Sequence, residues 1–225
     1  MSRLPDSKRL TEHPTVRATE RTFGRRFGVA IEDRYRGIVE AARDVIARRG
    51  YHQASTREIA RAADLSLAGL YHYVGGKDEL LFLVLDRALD TLIGALDAAQ
   101  AKARTPETKL LALIQTHLDF GFRQAADLKI INRDWELLEE PRRSEIAAKR
   151  GEYLKRGLAT LGDLDPRGRS RDELLSATNL LLGMLNGIAT RPFLRSSDNA
   201  RALAGEVGAL FLYGFLEPVE AHHDA

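Results

Sequence analysis

The chain contains no cysteine. That single absence removes disulfide frameworks, thiolate-bound zinc, cysteine-held iron–sulfur clusters and thiol nucleophiles, and it fits a reducing compartment. Proline is missing between Pro14 and Pro106; beyond that gap Pro106, Pro141, Pro166, Pro192 and Pro218 divide the chain into segments a helix or two long. No apolar run approaches the ~18 residues of a membrane span, and residues 1–26 lack the apolar centre of a secretory leader. A cytoplasmic protein with no membrane partner is expected. Catalytic signals are also lacking. The six histidines show no H-E-x-x-H or other ligand spacing, and neither a glycine-rich phosphate loop nor G-x-S-x-G occurs. Glu139 and Glu140 are adjacent, which turns their side chains apart rather than across a substrate. No enzyme activity, metal or cofactor is expected.

What remains is a chain of 225 residues, 44% hydrophobic and 29% charged, enough for one folded domain or two small ones. The net charge of +2 conceals an asymmetry: residues 1–79 hold 15 Lys/Arg against 11 Asp/Glu, and residues 80–225 hold 19 against 21. A basic front on a near-neutral body suits a nucleic-acid-binding head, because phosphate contacts supply sequence-independent affinity.

Past residue 31 apolar residues recur three and four apart with little β-branched alternation, the signature of an all-α chain. Ile38, Val39, Ala42, Val45 and Ile46 make one stripe, which ends at Arg48, Arg49 and Gly50. Ser55-Thr56-Arg57-Glu58 reads as a capping box opening a second helix, on which Ile59, Ala60 and Ala63 face inward. After Asp64 and Leu65, Ser66 caps a short third helix, LAGLYHY, closed by Gly75-Gly76. One long amphipathic helix is expected over 77–103, then others at about 106–124, 127–138, 142–161, 171–190 and 198–216.

Two short capped helices joined by a tight turn form a helix-turn-helix over Ser55–Tyr73. Leu70 and Leu65 would anchor the recognition helix, while Tyr71, His72 and Tyr73 offer flat hydrogen-bonding groups to phosphates and base edges. Helical spacing puts the two tyrosines on different faces, so one of them is expected in the core. Arg57 and Lys77 would bracket the phosphate backbone. The run from Ile38 through AARDVIARRGYHQASTREIARAADLSLAGLYHYVGGKDELL resembles the DNA-binding domain of TetR-family transcriptional regulators. The markers are Gly50-Tyr51, Ser55, Ile59-Ala60, Ala63, Ser66, Leu70-Tyr71-His72-Tyr73 and Lys77-Asp78-Glu79-Leu80-Leu81. The resemblance implies an all-α homodimer with an N-terminal three-helix DNA-binding domain and a C-terminal helical domain for ligand binding and dimerisation. On that reading residues 1–31 are a basic arm, 32–78 the reading head and 79–225 the body. DNA contacts fall to Ser55, Thr56, Arg57, Ser66, Leu67, Ala68, Gly69, Tyr71, His72 and Lys77. The family often has Lys or Arg at the position of Leu67 and Thr or Ser at that of Gly69, so two usual contacts are missing, and Arg17, Arg21, Arg25 and Arg26 of the arm would supplement them.

In the body the last two helices are the expected dimer surface, through Leu181 and Leu185 on the first and Val207, Leu210, Phe211 and Phe215 on the second. Gly183 and Gly187, four apart, would permit close helix approach. A twofold dimer implies a palindromic double-stranded DNA operator. Polar and aromatic residues that interrupt apolar faces mark the ligand region: His117, Phe120, Asn132, Trp135, Tyr153 and Asn186, with Phe122 beside them. The stretches 132–161, with Arg142, Arg143, Arg150 and Arg156, and 180–193 are broadly similar to TetR-family members that sense acyl-CoA thioesters. A small-molecule effector that releases the operator is the expectation, against a DNA-binding or interaction protein without an effector.

Overall fold

A computed structural model of the chain describes residues 24–165, 167–191 and 197–216. It consists of α1 (Gly24–Arg49), α2 (Thr56–Ala62), α3 (Leu67–Tyr71), α4 (Lys77–Gln100), α5 (Pro106–Arg123), α6 (Ala125–Arg133), α7 (Arg142–Leu164), α8 (Arg171–Ala189) and α9 (Ser197–Leu216), with a 3-10 turn at Trp135–Leu137. No strand occurs among the described residues. The helix expected over 127–138 is instead α6 followed by that turn. Helix α1 begins at Gly24, so residues 24–31 of the expected arm are helical; Arg17 and Arg21 lie outside the described residues.

Local chemistry sets the boundaries. Thr105 and Thr108 satisfy each other's backbone amides at the start of α5, with Pro106 at the first helical position where no N–H is needed, and Ser170 and Glu173 do the same for α8. Helix α1 stops at Gly50, which has φ +81°.

The head packs α2 and α4 on α1, and α3 on α2. Helix α5 runs through the body, with α4, α6, α7, α8 and α9 packed around it. One apolar core runs without a break from Ile38, Ile46, Ile59 and Leu70 in the head, through Leu81, Leu85, Leu92 and Leu96 of α4, to Leu113, Leu118, Leu161 and Leu181 in the body. Helices approach closely inside the subunit at Gly121 and Gly157. A Cβ on Gly121 would lie 2.5 Å from the Ala189 methyl, and one on Gly157 would lie 2.8 Å from Thr178 Cγ2, whereas Gly183 and Gly187 of α8 are exposed. Helix α7 is fastened along α4 by ion pairs at seven-residue intervals: Arg142 to Asp78 (2.8 Å), Lys149 to Asp86 and Asp90, and Arg156 to Asp97 (2.6 Å).

Candidate nucleic-acid interface and effector cavity

The helix-turn-helix is built from its caps outward. Ser55 Oγ accepts from the Glu58 amide (3.1 Å) and Ser66 Oγ accepts from the Gly69 amide (3.0 Å). Only half of the expected capping box at Ser55 forms, because the Glu58 carboxylate faces Arg49 of α1 at 3.4 Å. Between the caps Asp64 turns the chain with φ +54°, a left-handed conformation that aspartate tolerates better than most residues, and its carbonyl accepts from Arg34. Leu70 is fully buried and Leu65 packs half-buried against the core, so the anchors lie as expected.

The two tyrosines part company. Tyr73 is packed against the core, whereas Tyr71 is 50% exposed, with its hydroxyl 3.3 Å from Thr56 Oγ1. Ser55, Arg57, Ser66, Ala68 and His72 are exposed beside it, and Leu67 and Gly69 are half-buried. A Cβ at Gly69 would sit 3.2 Å from the capping oxygen of Ser66, so the glycine leaves room for the cap. Lys77 has its ammonium fixed: Nζ donates to the His52 carbonyl (3.1 Å) and lies 4.4 Å from the Tyr51 ring centroid, and burial lowers its pKa. Of the expected DNA-contacting residues, Thr56 and Tyr71 meet through their hydroxyls, and Arg57, Ser66 and Leu67 line one shallow depression between α2 and α3.

A cavity of about 490 Å³, open to solvent on one side, lies between α4, α5, α6, α7 and α8. Of the residues expected to meet a ligand, His117, Asn132, Tyr153 and Asn186 line it. They form one chain of hydrogen bonds: His117 Nδ1 to Tyr153 Oη (3.0 Å), His117 Nε2 to Asn186 Oδ1 (3.1 Å), and Asn132 Nδ2 to the same Oδ1 (2.9 Å). Burial lowers the His117 pKa to about 4 and pushes the Tyr153 phenol well up, so both are neutral near pH 7. The protons are then ordered: Tyr153 donates to Nδ1, and Nε2–H donates to Asn186.

Phe120 and Trp135 do not line the cavity. Phe120 is buried in the core, and Trp135 stacks outside the cavity beneath Arg150, whose guanidinium carbon lies 4.7 Å from the indole centroid. Arg150 and Asn179 are polar lining residues absent from the expected ligand set. Arg150 had a signal: it sits four residues after Ile146 and three before Tyr153, both buried, so a cation interrupts the apolar stripe of α7.

The expected dimer residues also divide. Leu181, Leu185 and Val207 are buried in the subunit's own core, at 0, 0 and 6% exposure, and offer no surface to a partner. Leu210 is 66% exposed, Phe211 is half-buried, and the side chain of Phe215 lies outside the described residues. Among the described side chains, the large exposed apolar ones of α8 and α9 are Leu180, Leu210 and Tyr213.

With this geometry in place, two family models match the chain: "Bacterial regulatory proteins, tetR family" over residues 38–84, and "Tetracyclin repressor-like, C-terminal domain" over residues 103–190. The chain belongs to the TetR family of transcriptional regulators. The HTH-type transcriptional regulator HbdR of Aromatoleum sp. (strain CIB) is 39% identical over 61 residues, 27% of each chain. BetI of Brucella canis is 36% identical over 81 residues, 36% of this chain and 41% of that one. These matches span less than half the length of those relatives. Solved structures align over most of the chain. A TetR-family regulator from Bordetella parapertussis 12822 superposes with a TM-score of 0.74 at 27% identity, covering 82% of this chain and 98% of that one. AibR in complex with isovaleryl coenzyme A and operator DNA gives 0.70 at 27% identity, covering 80% and 98%. No helix among the described residues is long and apolar enough to cross a membrane.

Proposed function

We propose that this protein is a cytoplasmic repressor that binds a palindromic operator as a homodimer and releases it when a small molecule fills the body's cavity. What carries the reading is that two helices serve both ends of the molecule. Helix α4 holds Lys77 at the head and lines the cavity with Leu89 and Leu92, and α6 lines it with Ile131 and Asn132 while gripping α1. A ligand that reshapes the cavity therefore acts on the helices that orient α3, and it shifts operator affinity by its differential affinity for the two arrangements. AibR, in complex with isovaleryl coenzyme A and operator DNA, supports the part of the reading in which one protein binds both a small molecule and an operator. The partner surface is the outer face of α8 and α9, with Leu180, Leu210 and Tyr213 at its centre.

The test is selection from a randomised duplex library at two salt concentrations. An enriched palindrome whose affinity falls steeply with salt is the expected result. A folded dimer that enriches no sequence would sink the reading.

A further inference from the structure

Four arginines lie on α7 between positions 142 and 156. Arg142 is paired with Asp78, Arg143 with Glu140 and Arg156 with Asp97. Among the described residues no carboxylate lies within ion-pair distance of Arg150. Its Nη1 donates to the Ile131 carbonyl (2.7 Å), its guanidinium carbon lies over the Trp135 ring, and Glu136 acts on it only from further away. It occupies the buried stripe of its helix and lines the cavity, where burial lowers its pKa. A cation held in this way retains unused donors and a desolvation cost that an anion would offset.

The rest of the lining agrees. Among the described residues that line the cavity there is no aspartate or glutamate, and Arg150 is the one charged side chain. The ordered chain through Tyr153 and His117 ends on Asn186 Oδ1, which already accepts two hydrogen bonds. The Asn186 amide is thereby turned to present its N–H₂ as donors. Around these donors stand Leu89, Leu92, Leu128, Leu154 and Leu182. Cation, amide donors and apolar walls together suit a ligand with an anionic oxygen group on an aliphatic body.

We propose that the effector is an amphipathic organic anion whose acidic oxygens are held by Arg150 and whose aliphatic body lies against the leucines of α4, α6 and α7. This rests on the effector reading above and specifies its ligand. The anionic group is a free carboxylate or the phosphate of a carrier-bound acyl chain, which share the chemistry that Arg150 recognises.

The test titrates the full-length protein with four probes of one chain length: octanoate, octanoyl coenzyme A, octan-1-ol and octylamine. Binding is followed by calorimetry and by the fluorescence of Trp135, the chain's single tryptophan. At least one anion should bind about tenfold or more tighter than the alcohol and the amine, and Arg150→Gln should abolish that advantage. Which anion binds identifies the source of the acidic group. Arg150→Lys, which keeps the charge, should retain part of the preference, and thermal melts of both variants exclude a folding defect. Equal or tighter binding of the alcohol or the amine overturns the proposal, as does an anion affinity unchanged in Arg150→Gln, or binding of none of the four. Operator affinity is measured separately. Octanoate bound through Arg150 without loss of operator affinity upholds the anion site and defeats the release reading; operator release by octan-1-ol alone, unaffected by Arg150→Gln, does the reverse.

Discussion

Asn132 and Arg133, neighbours on α6, face the two ends of the molecule: the Asn132 amide donates to Asn186 in the cavity at 2.9 Å, and Arg133 donates to the Ile46 carbonyl of α1 at 3.0 Å. One turn earlier Lys129 donates to the Ala47 carbonyl at 2.8 Å. Both acceptors belong to the last turn of α1, where the helix dipole favours cations; the Ile46 carbonyl also accepts from the Gly50 amide at 2.8 Å. The short helix that carries a cavity residue thus also caps the first helix of the reading head.

Lys129 separates coupling from stability. It is exposed and its ammonium makes that one hydrogen bond among the described residues, so Lys129→Gln should leave the fold and effector affinity close to wild type. The ratio of operator affinities without and with effector should shrink several-fold, within the ~1–3 kcal/mol common for coupled sites. Arg133→Ala should behave differently, because Arg133 also pairs at 2.6 Å with Asp134, which is 2% exposed. Removing it strands a buried carboxylate, so the melting temperature should fall as well. Operator titrations with and without ligand, alongside thermal melts, distinguish the two variants.

His117 should give the protein a pH-dependent stability. Its pKa in the folded chain is about 4, below its ordinary value of 6.5. Between those values the unfolded chain binds the extra proton, so this residue's contribution is fully present above about pH 6.5 and is lost as pH falls toward 4. The shift corresponds to at most ~3 kcal/mol. His117→Gln keeps hydrogen-bonding capacity without titrating; urea melts at pH 7.5 and 5 should show a smaller loss in this variant than in wild type.

The contrast between the cavity and the dimer face shows what a sequence exposes and what it hides. His117, Asn132, Tyr153 and Asn186 were legible because polar groups on otherwise apolar helices need partners, and here they partner one another around a cavity. Trp135 and Phe120 were legible only as large aromatics, and size does not distinguish a lining residue from a supporting one: Trp135 backs Arg150 and Phe120 fills the core. The helix-turn-helix was legible almost residue by residue because its caps, turn and anchors act over a few positions. In α8 both faces are apolar, and periodicity alone does not say which of them meets α5 and which meets solvent.

On the DNA side, Lys77→Gln should weaken binding to every duplex by a similar factor and lower the salt slope by about 0.9, the signature of one lost phosphate contact. Tyr71→Ala should change the order of preference among sequences, since Tyr71 stands exposed on α3. A uniform loss for Tyr71→Ala would make it a second backbone contact. Binding of selected duplexes to both variants at two salt concentrations reads these outcomes.

The adjacent pair Leu180 and Leu181 offers the sharpest separation of assembly from folding. Leu180 is 72% exposed within the subunit and Leu181 is fully buried. If the outer face of α8 and α9 meets its twofold mate, Leu180→Glu combined with Leu210→Glu places carboxylates in an apolar contact and should yield a folded monomer. That monomer should bind the selected palindrome far more weakly than wild type, since a single head meets only one half-site. Leu181→Ala should instead leave the assembly state intact while removing ~2–5 kcal/mol of stability, the usual range for a buried leucine whose site cannot collapse. Sedimentation velocity and urea melts of the two variants provide the comparison. A double glutamate variant that remains dimeric would move the interface to another surface of the body.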